Sequence, residues 1–305
     1  MGLAKKYLLN MNILLTGASG FLGGSIIKEL SSENSLFSLS RNSGDYQFSL
    51  ENEIPNFNDF FDLVIHAAGK AHFVPKTEDE KKQFYDVNVV GIQNLLKGLE
   101  VSGVPKQFVF ISSVSVYGQE QGLNITEDCT LVAKDAYGLS KIEAELLVQK
   151  WCNEHNVVCT ILRLPLLVGK NPPGNLGAMI KGITKGYYFN IGGGKAKKSM
   201  VLAEDVAEFI PIVANRGGVY NLTDGYHPSF FELSSAIARQ IKKSAPMNMP
   251  LFIAKAIGFM GDFLGSKAPI NSLKLKKINA DLTFDDSKAR SVGWQPRRVL
   301  DWFSI

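Results

Sequence analysis

The chain has 305 residues, of which 45% are hydrophobic and 20% charged, the balance of a folded globular protein and not of a disordered or collagen-like one. Its 33 basic and 29 acidic residues leave a net charge of +4, too small over this length to argue for nucleic acid but suited to anionic small molecules. Three cysteines (Cys129, Cys152 and Cys159) with no CxxC pair, and four scattered histidines, exclude a disulfide scaffold and argue against any metal site. They read as reduced thiols of a cytoplasmic protein.

Residues 1–10 read as a short leader, with an apolar run too brief for a secretory signal, and Met11 is an alternative start. From there the chain alternates strand-like and helix-like segments, the pattern of a parallel α/β sheet. Residues 12–16 predict a buried strand and 20–30 the helix after it. Strands follow at 36–39, 46–50 and 62–66, then one long helix over 80–103. A strand at 107–111, a helix at 137–155 and a strand at 157–162 complete the regular half. Beyond Leu166 the texture changes, with loop-rich stretches at 169–177 and 192–194. Two helix-like runs follow, 229–242 and 251–264, the second falling short of a membrane span. The organisation predicted is a dinucleotide-binding domain over 1–165 and a smaller substrate lobe over most of 166–305. Helix 202–214 is expected to return to the first domain.

Thr16-Gly17-Ala18-Ser19-Gly20-Phe21-Leu22-Gly23 joins the first strand to the first helix. A phosphate-bearing ligand needs such a loop: one glycine turns the chain, a second admits the ligand to the backbone, and a third packs helix on strand. The helix N-terminus then offers free N–H groups and the positive end of its dipole. Gly17, Ser19, Gly20, Phe21, Leu22 and Gly23 are therefore the expected phosphate contacts.

With its glycines spaced three apart, the loop resembles that of the extended short-chain dehydrogenase/reductases, which act mostly on nucleotide-activated sugars. The resemblance continues through later motifs and covers nearly the whole chain. It implies a Rossmann-type doubly wound sheet and a nicotinamide cofactor. An NAD site places an acid about 20 residues past the loop, for the ribose 2′-hydroxyl. Here the sequence reads Leu39-Ser40-Arg41-Asn42. A hydroxyl and a guanidinium suit a 2′-phosphate, which favours NADP(H), with NAD(H) as the alternative.

Tyr137-Gly138-Leu139-Ser140-Lys141 opens a predicted helix and puts Tyr137 and Lys141 one turn apart on one face. An ammonium beside a phenol lowers the phenol's pKa from near 10 and eases proton exchange with a sugar oxygen. Upstream, Ile111-Ser112-Ser113-Val114-Ser115 is similar to the family's fifth-strand motif. By resemblance Ser113 orients the substrate oxygen, Tyr137 exchanges the proton, and Lys141 also holds the nicotinamide ribose. Ala67, Ala68 and Gly69 match the segment passing over the cofactor, and Pro165 the strand end beside the nicotinamide. Asn88 matches a position that steadies the sheet end near the active site. His66 reads as a packed strand-end residue, and Lys70 and His72 as loop residues within reach of substrate.

Family dehydratases carry an Asp-Glu pair after the serine, whereas this chain has Val114-Ser115, so dehydration is disfavoured. Three functions remain. A 4-ketoreductase acting on a UDP-linked 4-keto-6-deoxyhexose in surface-polysaccharide precursor synthesis is favoured by Arg41. A nucleotide-sugar 4-epimerase with tightly bound NAD is the alternative, and a non-catalytic NADP-binding scaffold stands behind both. The resemblance also implies a homodimer built on helices 80–103 and 137–155.

Overall fold

The computed structural model describes residues 10–71, 75–264 and 271–305; His72 and residues 1–9 of the expected leader lie outside them. Strands β1 (Asn12–Thr16), β2 (Ser35–Ser40), β3 (Tyr46–Gln47) and β4 (Leu63–His66) alternate with helix α1 (Phe21–Leu30), helix α2 (Glu78–Tyr85) and helix α3 (Gly91–Ser102). Strand β5 (Gln107–Ser113), strand β6 (Gly122–Ile125), helix α4 (Ala136–Glu154) and strand β7 (Val158–Leu164) follow. The C-terminal part adds strands β8 (Leu166–Val168), β9 (Asn190–Ile191), β10 (Met200–Leu202), β11 (Gly218–Asn221), β12 (Asn248–Met249) and β13 (Leu282–Phe284). Its helices are α5 (Gly174–Lys185), α6 (Ala203–Val213), α7 (Phe230–Gln240), α8 (Leu251–Leu264), α9 (Ser272–Asn279), α10 (Ser287–Ser291) and α11 (Val299–Trp302).

Seven strands form one parallel sheet in the order β11-β7-β5-β4-β1-β2-β3. That order is the doubly wound Rossmann arrangement, in which the chain reverses direction across the sheet between β1 and β4. The central strands are continuous apolar runs because both faces are covered. Ile13, Leu14 and Leu15 are all 0% exposed. On one face Ile13 and Leu15 join Ile26 of α1 and Val206 and Ile210 of α6. On the other, Leu14 joins Leu95 and Leu99 of α3 and Val148 and Trp151 of α4.

The long helix expected over 80–103 is interrupted. Thr77 starts it with a capping box, accepting from Glu80 N while Glu80 accepts from Thr77 N. Residues Asp86–Val90 then widen into a π-helical turn before α3, a local device often found at functional sites. The third strand is also shorter than expected, because the chain turns at once through Asn52 N bonded to Ser49 O.

Past Leu164 a separate apolar cluster forms from Val168, Leu176, Met179, Met200, Leu233, Ile237 and Val299. Helix α5 begins at Gly174, inside a stretch whose composition reads as loop. Strand β13 pairs in parallel with β6, and Phe284 stacks on Tyr117 with ring centroids 5.5 Å apart. The C-terminal part is thereby seated on the turn that follows β5.

Candidate active site

Strand register places the sequence-predicted residues along one edge of the sheet. Thr16 is level with Leu39 and with His66, His66 with Phe110, and Ser113 with Leu164. The glycine loop, Ser40-Arg41, Ala67-Ala68-Gly69, Ser113 and Pro165 therefore all stand at the carboxyl ends of neighbouring strands. In an open α/β sheet this edge, at the reversal of strand order, is where ligands bind.

The three loop glycines have separable reasons. Gly17 has φ +76°, and a Cβ on it would lie 2.6 Å from Ala68 N, so the loop presses directly on the Ala67-Ala68 backbone. A Cβ on Gly23 would lie 2.2 Å from Gly17 O, which fixes the helix against the turn. Gly20 is exposed, and its only close neighbour is Gly17 O, 3.1 Å from an added Cβ. Helix α1 starts at Gly20 with no side-chain cap and no acid in its first turn. Its leading N–H groups thus await an acceptor from outside, and a dinucleotide diphosphate fits that requirement. Ser19 is exposed beside them, Phe21 half-buried, and Leu22 buried.

At the end of β2 the Ser40 hydroxyl donates to Ser43 O. The Arg41 guanidinium lies 3.5 Å from the Glu51 carboxylate with 68% of its side chain exposed. That long contact holds it weakly and leaves it able to meet an anion.

Ser113 ends β5 and accepts a hydrogen bond from Ser115 N at 3.2 Å. Asp135 caps α4 by accepting from Gly138 N at 3.0 Å, which sets Tyr137 in the first turn, where the Ser113 hydroxyl acts to lower its pKa. One turn on, the Lys141 ammonium donates to Ile111 O at 2.9 Å and sits 4.6 Å from the centre of the Phe110 ring. The structure corrects the expectation that Lys141 lowers the tyrosine's pKa. Burial pushes the Tyr137 phenol up, the Asp135 carboxylate adds to that, and the Ser113 hydroxyl opposes it. Burial also draws Lys141 down to about 8. At neutral pH the pair is a protonated phenol one turn from a lysine that is still mostly an ammonium.

Asn88, inside the π-helical turn, brackets the site. Its Oδ1 accepts from Lys70 N at 2.7 Å, while its Nδ2 donates to Lys70 O at 3.2 Å and to Ser140 Oγ at 2.9 Å. The widened turn aims this amide at both the β4 loop and α4. A Cβ at Gly69 would stand 3.1 Å from Asn88 Oδ1 and 3.5 Å from Lys141 Nζ, so glycine keeps that space open. Lys70 turns away, donating to Gln83 Oε1 at 2.6 Å. His66 bonds Thr16 Oγ1 at 2.9 Å and stacks on Phe110. Burial pulls its pKa to about 3, so it stays neutral and packs.

The sequence reading missed Glu145. It lies one further turn along the Tyr137–Lys141 face, 1% exposed, and pairs with Arg163 at 2.7 Å. Ser112 Oγ donates to it at 2.5 Å, and Arg163 donates on to the Tyr117 hydroxyl at 3.0 Å. The signal was present as a third polar residue at the same four-residue spacing. Among the described residues no group of three His, Cys, Asp or Glu side chains could hold a metal ion.

Comparison with known proteins identifies the family. The chain is 29% identical, over 94% of its length and 91% of the relative's, to the N-acetyl-alpha-D-glucosaminyl-diphospho-ditrans,octacis-undecaprenol 4-epimerase of Escherichia coli O157:H7. It is 30% identical to the GDP-6-deoxy-D-mannose reductase of Pseudomonas aeruginosa, over 47% of this chain and 48% of that one. The solved structure of RMD from Pseudomonas aeruginosa complexed with NADPH superposes with a TM-score of 0.72, at 21% identity, over 95% of both chains. The model of the NAD dependent epimerase/dehydratase family matches residues 13–223, and the chain belongs to that family, an NAD(P)-dependent group of nucleotide-sugar epimerases and reductases within the extended short-chain dehydrogenase/reductases.

Proposed function

We propose that this enzyme is an NADP(H)-preferring 4-ketoreductase acting on a UDP-linked 4-keto-6-deoxyhexose, in the cytoplasm, for surface-polysaccharide precursors. The observation that carries the reading is Arg41 with Ser40 at the end of β2, where an NAD site keeps an acid. The protonated state of Tyr137 supports it, because reduction of a keto group needs a proton donor at the oxygen.

The loop residues Gly17, Ser19, Gly20, Phe21, Leu22 and Gly23 would hold the cofactor's diphosphate, Ser40 and Arg41 its 2′-phosphate, and Lys141 its ribose. Ala67, Ala68, Gly69 and Pro165 would flank it. The bound dinucleotide supplies the hydride. Ser113 orients the keto oxygen by hydrogen bonding, and Tyr137 delivers its proton to that oxygen. Lys141 and Asn88 keep the helix and the β4 loop in place around it. A panel of UDP-sugars with and without a 4-keto group tests the assignment. Turnover only of 4-keto substrates supports it, and interconversion of ordinary UDP-hexoses contradicts it.

A second reading, 4-epimerase, is equally supported by the relatives matched along nearly the whole chain: the one from Escherichia coli O157:H7, over 94% of this chain, and a UDP-glucose 4-epimerase of Vibrio cholerae, 28% identical over 95% of it, are both named 4-epimerases. Cofactor preference separates the two. Arg41→Asp places a carboxylate where the 2′-phosphate would sit and is expected to reverse preference from NADPH to NADH. Titration of both cofactors against both proteins checks this, and equal affinities in the unmodified protein would contradict it.

We infer a homodimer built on the segments 80–103 and 137–155. Tyr85, Leu139 and Leu146 are 43%, 50% and 58% exposed along an apolar groove of about 490 Å³ between α2 and α4. Leu139→Arg buries a charge if two copies meet there, so sedimentation velocity should show a dimer turning to monomer.

A further inference from the structure

Helix α8 has its large and small residues on the wrong sides for a soluble surface helix. Ala254, Gly258 and Gly261 are the residues buried against the protein, and a Cβ on Gly258 would stand 2.4 Å from Leu275 of α9. The bulky apolar residues face outward instead: Phe252 is 73% exposed, Ile253 41%, Phe259 62% and Met260 60%. By helical periodicity these and the exposed Ala256 fall on one broad face. Leu273 of α9 extends the patch at 54%, and Met247, just before β12, at 70%. A contiguous apolar surface of this kind marks a docking site.

Charge points to the occupant. Residues 242–280 hold seven lysines and a single acid, Asp262. The remainder of the chain carries 26 basic against 28 acidic residues, so the whole excess of positive charge falls within this stretch of the sequence. Lys255 on α8 and Lys274 and Lys276 on α9 are exposed. Fourteen residues make a helix about 21 Å long, too short to cross a hydrocarbon core and suited to lying in the headgroup layer. No helix among the described residues is long and apolar enough to span a membrane.

We propose that α8 and α9 dock this enzyme on an anionic phospholipid bilayer, with Phe252, Ile253 and Met260 entering the interface and the lysines meeting the headgroups. Only two residues separate α9 from β13, whose Phe284 stacks on Tyr117 in the turn after Ser113. Docking would therefore hold at the membrane surface the C-terminal part that is seated on the turn after Ser113. The proposal stands whichever of the two reactions the site performs.

Co-sedimentation of the whole protein with vesicles tests it. Binding is expected to phosphatidylglycerol-containing vesicles, weaker binding to pure phosphatidylcholine, and loss as salt rises. Phe252→Ser combined with Ile253→Ser and Met260→Ser should cut partitioning at least tenfold while circular dichroism and NADPH binding stay unchanged. Should that variant misfold, Lys255→Glu with Lys276→Glu touches only exposed charges and should selectively weaken binding to the anionic vesicles. Protein that stays in the supernatant with every vesicle overturns the proposal. So does binding that survives in a folded variant, or a dimer that the serine variant dissociates in the absence of any vesicle binding.

Discussion

Replacing Tyr137 with Phe is expected to lower turnover by roughly 10²–10⁴, the loss typical of a removed general acid. The substitution keeps the ring that packs 6.0 Å from Phe84 and deletes only the hydroxyl. Burial raises the phenol's pKa, so the wild-type group is a proton donor throughout the neutral range. The helix start held by Asp135 and the glycine loop are untouched, so cofactor affinity should be nearly unchanged. Steady-state kinetics beside a cofactor titration measure both, and near-full activity in the variant would remove Tyr137 from the mechanism.

A comparably large effect, this time on stability, is expected at Glu145. Glu145→Ala leaves the Arg163 guanidinium, 4% exposed, without its counter-charge and strips Ser112 of its acceptor. Breaking a buried pair from one side costs about 3–5 kcal/mol, and the bonds that Arg163 keeps, to the Tyr117 hydroxyl and Glu127 O, supply no counter-charge. Replacing Glu145 and Arg163 together by Met should cost far less, since no charge is then stranded. Urea unfolding of the two variants separates these outcomes. A single variant as stable as the double one would show that the pair is not the buried charge centre the structure depicts.

The sheet was legible because its strands announce themselves physically. Ile13-Leu14-Leu15 and the Phe108-Val109-Phe110 run are buried on both faces, and such runs need no alternation to be read as strands. Strand β11 escaped notice because four residues, Gly218–Asn221, carry too little pattern. The interruption of the long helix escaped for another reason: a π-helical turn keeps apolar spacing nearly intact while shifting Asn88 around the axis. Ser113, Tyr137 and Lys141 were legible from motif order and four-residue spacing. The direction of the tyrosine's pKa was not, because burial and the path of Lys141 toward Ile111 O are tertiary facts. Helix α8 was legible as a helix, yet its outward-facing aromatics appear only when Gly258 is seen against Leu275.

The central claim is net reduction of a keto sugar at the Ser113–Tyr137 site, and the most direct measurement is the cofactor balance. Purified enzyme is mixed with NADPH and a UDP-linked 4-keto-6-deoxyhexose, and NADPH absorbance is followed together with product. One mole of NADPH consumed per mole of reduced sugar is the predicted result. Conversion of a UDP-hexose to its 4-epimer with no consumption of added NADPH is the result that would contradict it.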